Sequence, residues 1–530
     1  MSVSRNALTV GYFAVIILLG LCIYQDYGVS WDESIDRVNG LVNAKYITGL
    51  VAPEWTSRQG VFANTPDFHT YDERDHGVIF HLPLAFMEVF MGGVDSRTYY
   101  FVRHLCIFLS FVLALWSVYR IALIRYGSWA LGLLASTLLL VSPRIFADAF
   151  SNGKDLVLLS FFTFGAYTLV RLLQRPTVGR AVLHGAATAI ATDIRILGCL
   201  LVAITLALFA LELLPASSSR LPRQKLLTIV AAYCVATAAF TVVGWPYLWE
   251  APLNNFLLAF ENMKKFRWDG YILYLGEKVH SLALPWHYAP VWIIISTPIA
   301  YCVAGLLGLV AVGRSFWKGK LAYMQSLEGK IDALLLAWFF IPPALIIVLH
   351  SVIYDGWRHL YFIYPALILL AVHGGQALWR AASHRTLRPR LVWALATLAG
   401  LEMGYTVVRM VRAHPNQQVF YSFLTDPAAS QLFEGDYWGL SYRKGLQWIL
   451  ANSTASTIAI DAPFRIVLEN NLAILKPADR ARFVINPNSQ EVYFLTAYRT
   501  HPEPYPASVG NEVHAVKVNG IRILSVFYRW

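Results

Sequence analysis

The stretch GVSWDESIDRVNG, Gly28 to Gly40, places three carboxylates, Asp32, Glu33 and Asp36, directly behind an apolar run long enough to cross a membrane. Three other short stretches pair cations with acids in the same way. SNGKD carries Lys154 and Asp155, TDIRILG carries Asp193 and Arg195, and YDGWRHLYF carries Asp355, Arg358 and His359. Any one of these pairs alone reads equally well as an interfacial salt bridge or a loop cap. Four of them at the ends of apolar runs are harder to explain that way, because ionisable groups near hydrocarbon are costly and usually functional. The chemistry they suit is group transfer from a phosphate. A carboxylate such as Asp32 takes the acceptor's proton, and Lys154, Arg195 or Arg358 stabilises the departing phosphate. Asp36, about one helical turn further on, reads as a surface or capping residue.

The elements that must hold these groups follow from composition. The chain has 530 residues, 57% apolar and 14% charged, with a mean hydropathy of +0.50. A soluble protein of this length carries about a quarter charged residues, so this chain needs lipid as part of its solvent. Scanning for apolar runs of roughly twenty residues predicts about eleven spans. They lie near 7–24, 99–124, 129–147, 156–173, 181–193, 196–214, 226–246, 290–312, 333–350, 360–379 and 391–408, the fifth being short. The first lacks a small-x-small cleavage site and is read as a retained helix rather than a signal peptide. Paired repeats and interrupted helices, the marks of a transporter, are not visible in the sequence.

Basic residues cluster in alternate loops: Arg120 and Arg125; Arg171, Arg175 and Arg180; Arg220, Arg223 and Lys225; Arg314, Lys318, Lys320 and Lys330; Arg380, Arg385, Arg388 and Arg390. The positive-inside bias puts these, with Arg5 at the N-terminus, in the cytoplasm. The expectation is therefore a multi-pass protein of the cytoplasmic (inner) membrane, N-terminus inside and C-terminus outside. The four acid–cation stretches then all face outward. So do a long first loop (25–98), a middle loop (247–289) and the tail from 409. The net charge of +11 is explained by these loops, not by a nucleic-acid surface. The five cysteines all lie in apolar runs and imply no disulfide framework.

The tail differs in composition. STIAID and EVYFLTAYR read as strands, FRIVLENNLAIL as a helix, and two β-rich runs flank Asn519-Gly520, a two-residue hairpin signal. This predicts an extracytoplasmic α/β domain within 409–530, behind a membrane domain at 1–408. The stretch FEGDYWGLSYRKGLQWIL is expected to pack a helix against the outer membrane face, with Tyr437 and Trp438 as packing residues. The middle loop is dense in aromatic residues, which serve either as an interfacial belt or as platforms under a sugar ring. No Walker loop is present, and nucleotides are kept inside the cell. A lipid-linked phosphate suits an outward site better, since its tail can lie between spans. His81, His280 and His287 lack a tight metal-ligand spacing; no cofactor is assigned, and a divalent metal stays open.

In order along the chain, SWDE, SPRIFADAFSNGKD, IRILG, WPYLWEAPLNNF, FRWDGYILYLGE, LPWHYAPVWIIISTP, RHLYFIYPALILL and HPNQQVFYSF…FEGDYWGLSYRKGLQWIL form a pattern. It resembles that of GT-C superfamily membrane glycosyltransferases. The resemblance is to the bacterial protein-mannosyltransferase and lipid A aminoarabinose-transferase-like group, glycosyltransferase family 39-like. Where eukaryotic-type protein mannosyltransferases have a His-Pro-Pro stretch, this chain has DHGVIFHLPLAF. The resemblance implies a GT-C fold and an inverting transferase. Such an enzyme moves a sugar from a polyprenyl-phosphate donor to an outer-face acceptor: a glycan, lipid or protein. It implies Asp32 as base with Glu33 as neighbour or substitute, a second acidic site at Asp155 with Asp148 nearby, and Lys154, Arg195 and Arg358 on the donor phosphate. Trp245, Trp286, His287 and His359 are the substrate-binding candidates. The runner-up is a transporter or flippase for a lipid-linked sugar or another solute.

Overall fold

A computed structural model describes residues 4–214, 222–264 and 268–529; Arg220 and residues 265–267 of the middle-loop motif lie outside them. Among the described residues, nine helices are long and apolar enough to cross a membrane: Arg5–Ile23, Ser96–Tyr126, Asp155–Gln174, Ile196–Leu213, Arg223–Gly244, Ile299–Gln325, Leu327–Leu349, Arg358–Ser383 and Pro389–Ala413. The protein is thus a multi-pass membrane protein. A tenth expected span, 129–147, is broken. Trp129–Leu140 and Pro143–Ser151 meet at 70°, because Pro143 lacks an N–H for the preceding turn and forces Ser142 into an extended conformation. Contrary to the sequence expectation, this span is therefore interrupted. Pro298 divides the expected 290–312 span in the same way, into Tyr288–Ser296 and a span beginning at Ile299.

The expected span at 181–193 is a helix of 17 residues, Val178–Ile194. Its small residues let it press closely on Arg223–Gly244: a Cβ added at Gly185 would lie 2.8 Å from Ala236 Cβ and 3.0 Å from the Tyr233 carbonyl. Burial grades the spans. Over its most apolar stretch Asp155–Gln174 is 78% buried, whereas the first and last spans are 11% buried and present their leucines and valines outward. The span carrying Lys154 and Asp155 at its head is therefore the centre of the bundle.

The first loop folds as helices Glu33–Val51 and His81–Phe90 with short turns between. The middle loop contributes a hairpin, β1 (Tyr271–Tyr274) and β2 (Glu277–His280). The C-terminal segment builds one sheet from β3 (Ile458–Asp461), β4 (Phe483–Ile485), β5 (Val492–Ala497), β6 (Asn511–Val518) and β7 (Ile521–Arg529), in the order β4-β3-β5-β7-β6. β3 runs parallel to β4 and β5, and β7 runs antiparallel to β5 and β6. Asn519 and Gly520 both take positive φ (50° and 92°) at the β6–β7 turn, as the hairpin signal requires.

The helix Tyr442–Asn452 corrects one expectation. It packs on this sheet rather than on the membrane face. Tyr442, Gly445, Leu446 and Ile449 form its buried stripe, at the i, i+3, i+4, i+7 spacing of a core-facing helix. A Cβ at Gly445 would meet Leu524 at 2.6 Å and Leu495 at 3.0 Å.

Candidate active site

The chain enters the site through Tyr27–Trp31, which is gripped by the C-terminal segment. Asn471 donates from Nδ2 to the Val29 carbonyl (3.0 Å) and accepts the Val29 N–H at Oδ1 (3.1 Å). Asn470 donates to the Ser30 carbonyl (2.9 Å), and Trp31 N–H donates to the Trp438 carbonyl (3.2 Å). Gly28 permits this approach: a Cβ there would lie 2.4 Å from the Leu440 carbonyl oxygen.

Helix Glu33–Val51 starts immediately after, and its phase separates the three acids. Glu33 is fully buried; it accepts the Ser30 N–H (2.8 Å) and meets His104 (3.1 Å) and Arg103 Nε (3.3 Å). Asp36 is also buried, against Lys154 Nζ (2.8 Å) and Arg103 Nη2 (2.5 Å). It is neither a surface residue nor a cap, since the turn it occupies faces the bundle. Burial works to raise its carboxyl, and Lys154, His81 and Arg103 outweigh that, holding it below the ordinary carboxylate range. Asp32 alone opens into a cavity, its side chain 25% exposed and its Oδ2 3.5 Å from Arg358 Nη1.

That cavity measures about 440 Å³. Its polar lining is Asp32, Lys154, Arg195, Asp355, His359 and Arg499, with Glu73, Asp75 and His76 of the first loop. Its apolar lining includes Ile194, Ile196, Leu197, Ile346, Val352 and Ile353. Beneath it, Asp155 is buried between Arg195 Nη2 (2.7 Å) and Arg358 Nη1 (2.9 Å), its N–H bonded to Asn152 Oδ1 (2.8 Å). Arg358 also reaches Asp355 (3.2 Å), and its guanidinium lies over the rings of Trp438 (4.6 Å) and Tyr354 (4.8 Å). Burial alone would lower the Lys154 ammonium; the carboxylates of Asp36 and Asp32 outweigh it and raise the group, so it stays charged.

Stretches far apart in the sequence thus meet here. Of the residues expected from sequence, Asp32, Lys154, Arg195, His359 and Trp245 line the cavity. Arg358 and Asp155 lie directly behind it, and Glu33 is turned away. Asp148 is buried, with one oxygen accepting from Asn152 (3.2 Å). Two candidates are elsewhere. Trp286 is 68% exposed, and His287 is held by the Tyr274 hydroxyl (2.6 Å); neither lines the cavity. His280 pairs with Asp269, and among the described residues no cluster of His, Cys, Asp and Glu has metal-binding geometry.

Three contributors escaped the sequence reading. Arg103, fully buried between Glu33 and Asp36, had a signal: a charge inside an apolar run. Trp268 lies in the aromatic middle-loop stretch FRWDGYILYLGE but could not be singled out from its neighbours, and Arg499 had no signal, since it comes from a loop without distinguishing local pattern.

No family model and no curated protein matches the chain. Solved structures similar to it include ArnT from Cupriavidus metallidurans in the apo state, at 12% identity and TM-score 0.46 over 98% of both chains. The same protein bound to undecaprenyl phosphate is similar at 12% identity and TM-score 0.46, over 99% of this chain and 98% of that one. The apo oligosaccharyltransferase of Archaeoglobus fulgidus is similar at 10% identity and TM-score 0.48, over 88% of this chain and 65% of that one.

Proposed function

We propose that the protein is an inverting glycosyltransferase that moves a sugar from a polyprenyl-phosphate donor to an acceptor on the outer face of the membrane. One observation carries the reading. A carboxylate and several cations share the lining of one cavity with apolar side chains, among them Ile346 near the end of the span Leu327–Leu349. Such a site suits an amphipathic donor: phosphate on Lys154 and Arg195, and lipid along Ile346 and its apolar neighbours.

In the reaction, Asp32 accepts the proton of an acceptor hydroxyl. The acceptor oxygen forms a bond to the anomeric carbon as the bond from that carbon to the phosphate oxygen breaks. The electron pair leaves with the phosphate, where Lys154 and Arg195 stabilise the charge. Asp155 orients Arg195 and Arg358 for this task, and Arg358 fixes the Asp32 carboxylate. The acceptor's class, glycan, lipid or protein, is set by what reaches the cavity past the first loop.

The test is transfer in proteoliposomes with labelled polyprenyl-phosphate sugars, comparing wild type with Asp32→Asn and Asp155→Asn. Both variants should lose transfer. Full turnover by the Asp32→Asn, Glu33→Gln double variant at wild-type expression sinks the assignment of the base. The 70° break between Trp129–Leu140 and Pro143–Ser151 is the feature that favours a transporter. Movement of the lipid-linked sugar across the bilayer without glycosyl transfer would establish that reading instead.

A further inference from the structure

Arg499 belongs to the C-terminal segment, two residues beyond β5, yet it lines the cavity. Its Nη2 donates to Asp355 Oδ1 (2.5 Å), and its Nε lies 4.0 Å from Glu434. Its guanidinium sits 5.8 Å from the ring centres of both Trp31 and Trp268, which also line the cavity. Two aromatic rings and a carboxylate therefore fix the orientation of the fork. Among the described residues its Nη1 has no hydrogen-bond partner. Asp355 is equally constrained. It adopts φ +58°, in the left-handed region, and its second oxygen is held by Arg358 Nη2 at 3.2 Å. Each carboxylate oxygen keeps a further lone pair.

Asp32, Arg358, Asp355 and Arg499 thus form a continuous chain of contacts from the base to the C-terminal domain. In the reaction proposed above, on which this inference rests, the transferred sugar lies between the base and the phosphate. Asp355, one arginine removed from the base, borders that space.

We propose that Arg499 is a specificity-determining residue, and that its Nη1 edge and the Asp355 carboxylate together hold adjacent hydroxyls of the transferred sugar. A guanidinium beside a carboxylate offers one donor and one acceptor side by side, the complement of a vicinal diol. The same pair discriminates against charge. A sugar carboxylate at this edge meets Asp355, and a sugar ammonium meets Arg499. The substrate class is therefore a neutral sugar with adjacent free hydroxyls, and the C-terminal domain is part of the recognition site.

Binding of donor lipids to the full-length protein in detergent tests this without an acceptor. The probes are polyprenyl phosphate alone and polyprenyl-phosphate glucose, mannose, galactose and glucuronic acid. Wild type should bind at least one neutral sugar lipid roughly ten- to a hundred-fold more tightly than the bare phosphate and the glucuronic acid lipid, the range expected for hydrogen bonds to charged groups. Arg499→Gln should abolish that preference and leave affinity for polyprenyl phosphate unchanged. Arg499→Lys keeps the ion pair but loses the fork. It should also lose the preference, and it serves if Arg499→Gln does not fold. Retention of the preference in both variants, or its absence in wild type, overturns the proposal. Failure of wild type to bind polyprenyl phosphate at all refutes instead the transferase reading beneath it.

Discussion

The two ends of the helix bundle hold their buried charges differently. At the end away from the C-terminal sheet, Arg125 Nε and Nη2 meet Asp332 at 2.6 and 2.8 Å, and the Tyr323 hydroxyl donates to the same carboxylate at 2.6 Å. Lys330 pairs with Glu212 close by. Each of these two cations has one acid. At the sheet end, Arg358 is shared by Asp32, Asp155 and Asp355, Arg103 by Glu33 and Asp36, and Asp155 by two arginines. A one-to-one pair is complete and holds helices together. A shared network, opening on a cavity, can exchange one partner for a ligand without leaving a charge alone. The first kind of cluster is architecture, and the second is poised for binding.

Mutations should separate the two ends. The largest effect on turnover belongs to Asp32→Asn, which should lower the transfer rate by roughly 10²- to 10⁴-fold with an unchanged melting profile. Asp332→Ala leaves Arg125 buried without its partner and should destabilise by about 3 kcal/mol or more. Measured in detergent by thermal unfolding, that loss should come with normal turnover per folded molecule. If Asp332→Ala abolished transfer without loss of stability, the contrast between the ends would collapse. Lys154→Ala should raise the KM for donor about ten-fold or more while its effect on the acceptor KM stays small, and Lys154→Arg should restore part of the loss.

A smaller effect is expected at Glu434. Burial, and then the nearby Asp355, push its carboxyl up to about 8. The folded protein keeps this proton across a pH range in which the unfolded chain releases it. Stability is full below the ordinary carboxylate range and declines as pH rises through about 8. Glu434→Gln should flatten the melting temperature between pH 6 and pH 9. An equal alkaline decline in the variant would show that another group is responsible. Trp286→Ala should change donor binding least of all, because that ring stands outside the cavity.

Much of the site was legible in the sequence because lipid makes charge conspicuous. Lys154, Arg195 and Arg358 stand at the ends of apolar runs, where a charge requires a reason, and the fold brings them together. What the sequence could not resolve was direction. Asp32, Glu33 and Asp36 look equivalent as a string, and only the starting phase of their helix gives one to the cavity and two to Arg103. The middle loop misled for a related reason. Its aromatic residues are uniform in type, so Trp245 and Trp268 at the cavity could not be told from Trp286 at the surface. The hairpin at Asn519-Gly520 was readable because its turn demands particular residues. The packing of Tyr442–Asn452 was not, because an amphipathic helix fits a sheet and a membrane surface alike.

The grip of Asn470 and Asn471 on Val29–Trp31 has a pharmacological consequence. The segment leading into Asp32 is held by side chains of the helix Arg465–Ala473. A molecule that pried Arg465–Ala473 from this loop would slacken the carboxylate without entering the cavity or competing with a lipid. It would act as a remote off-switch, and because its footprint would be protein surface, it would not need to resemble either substrate.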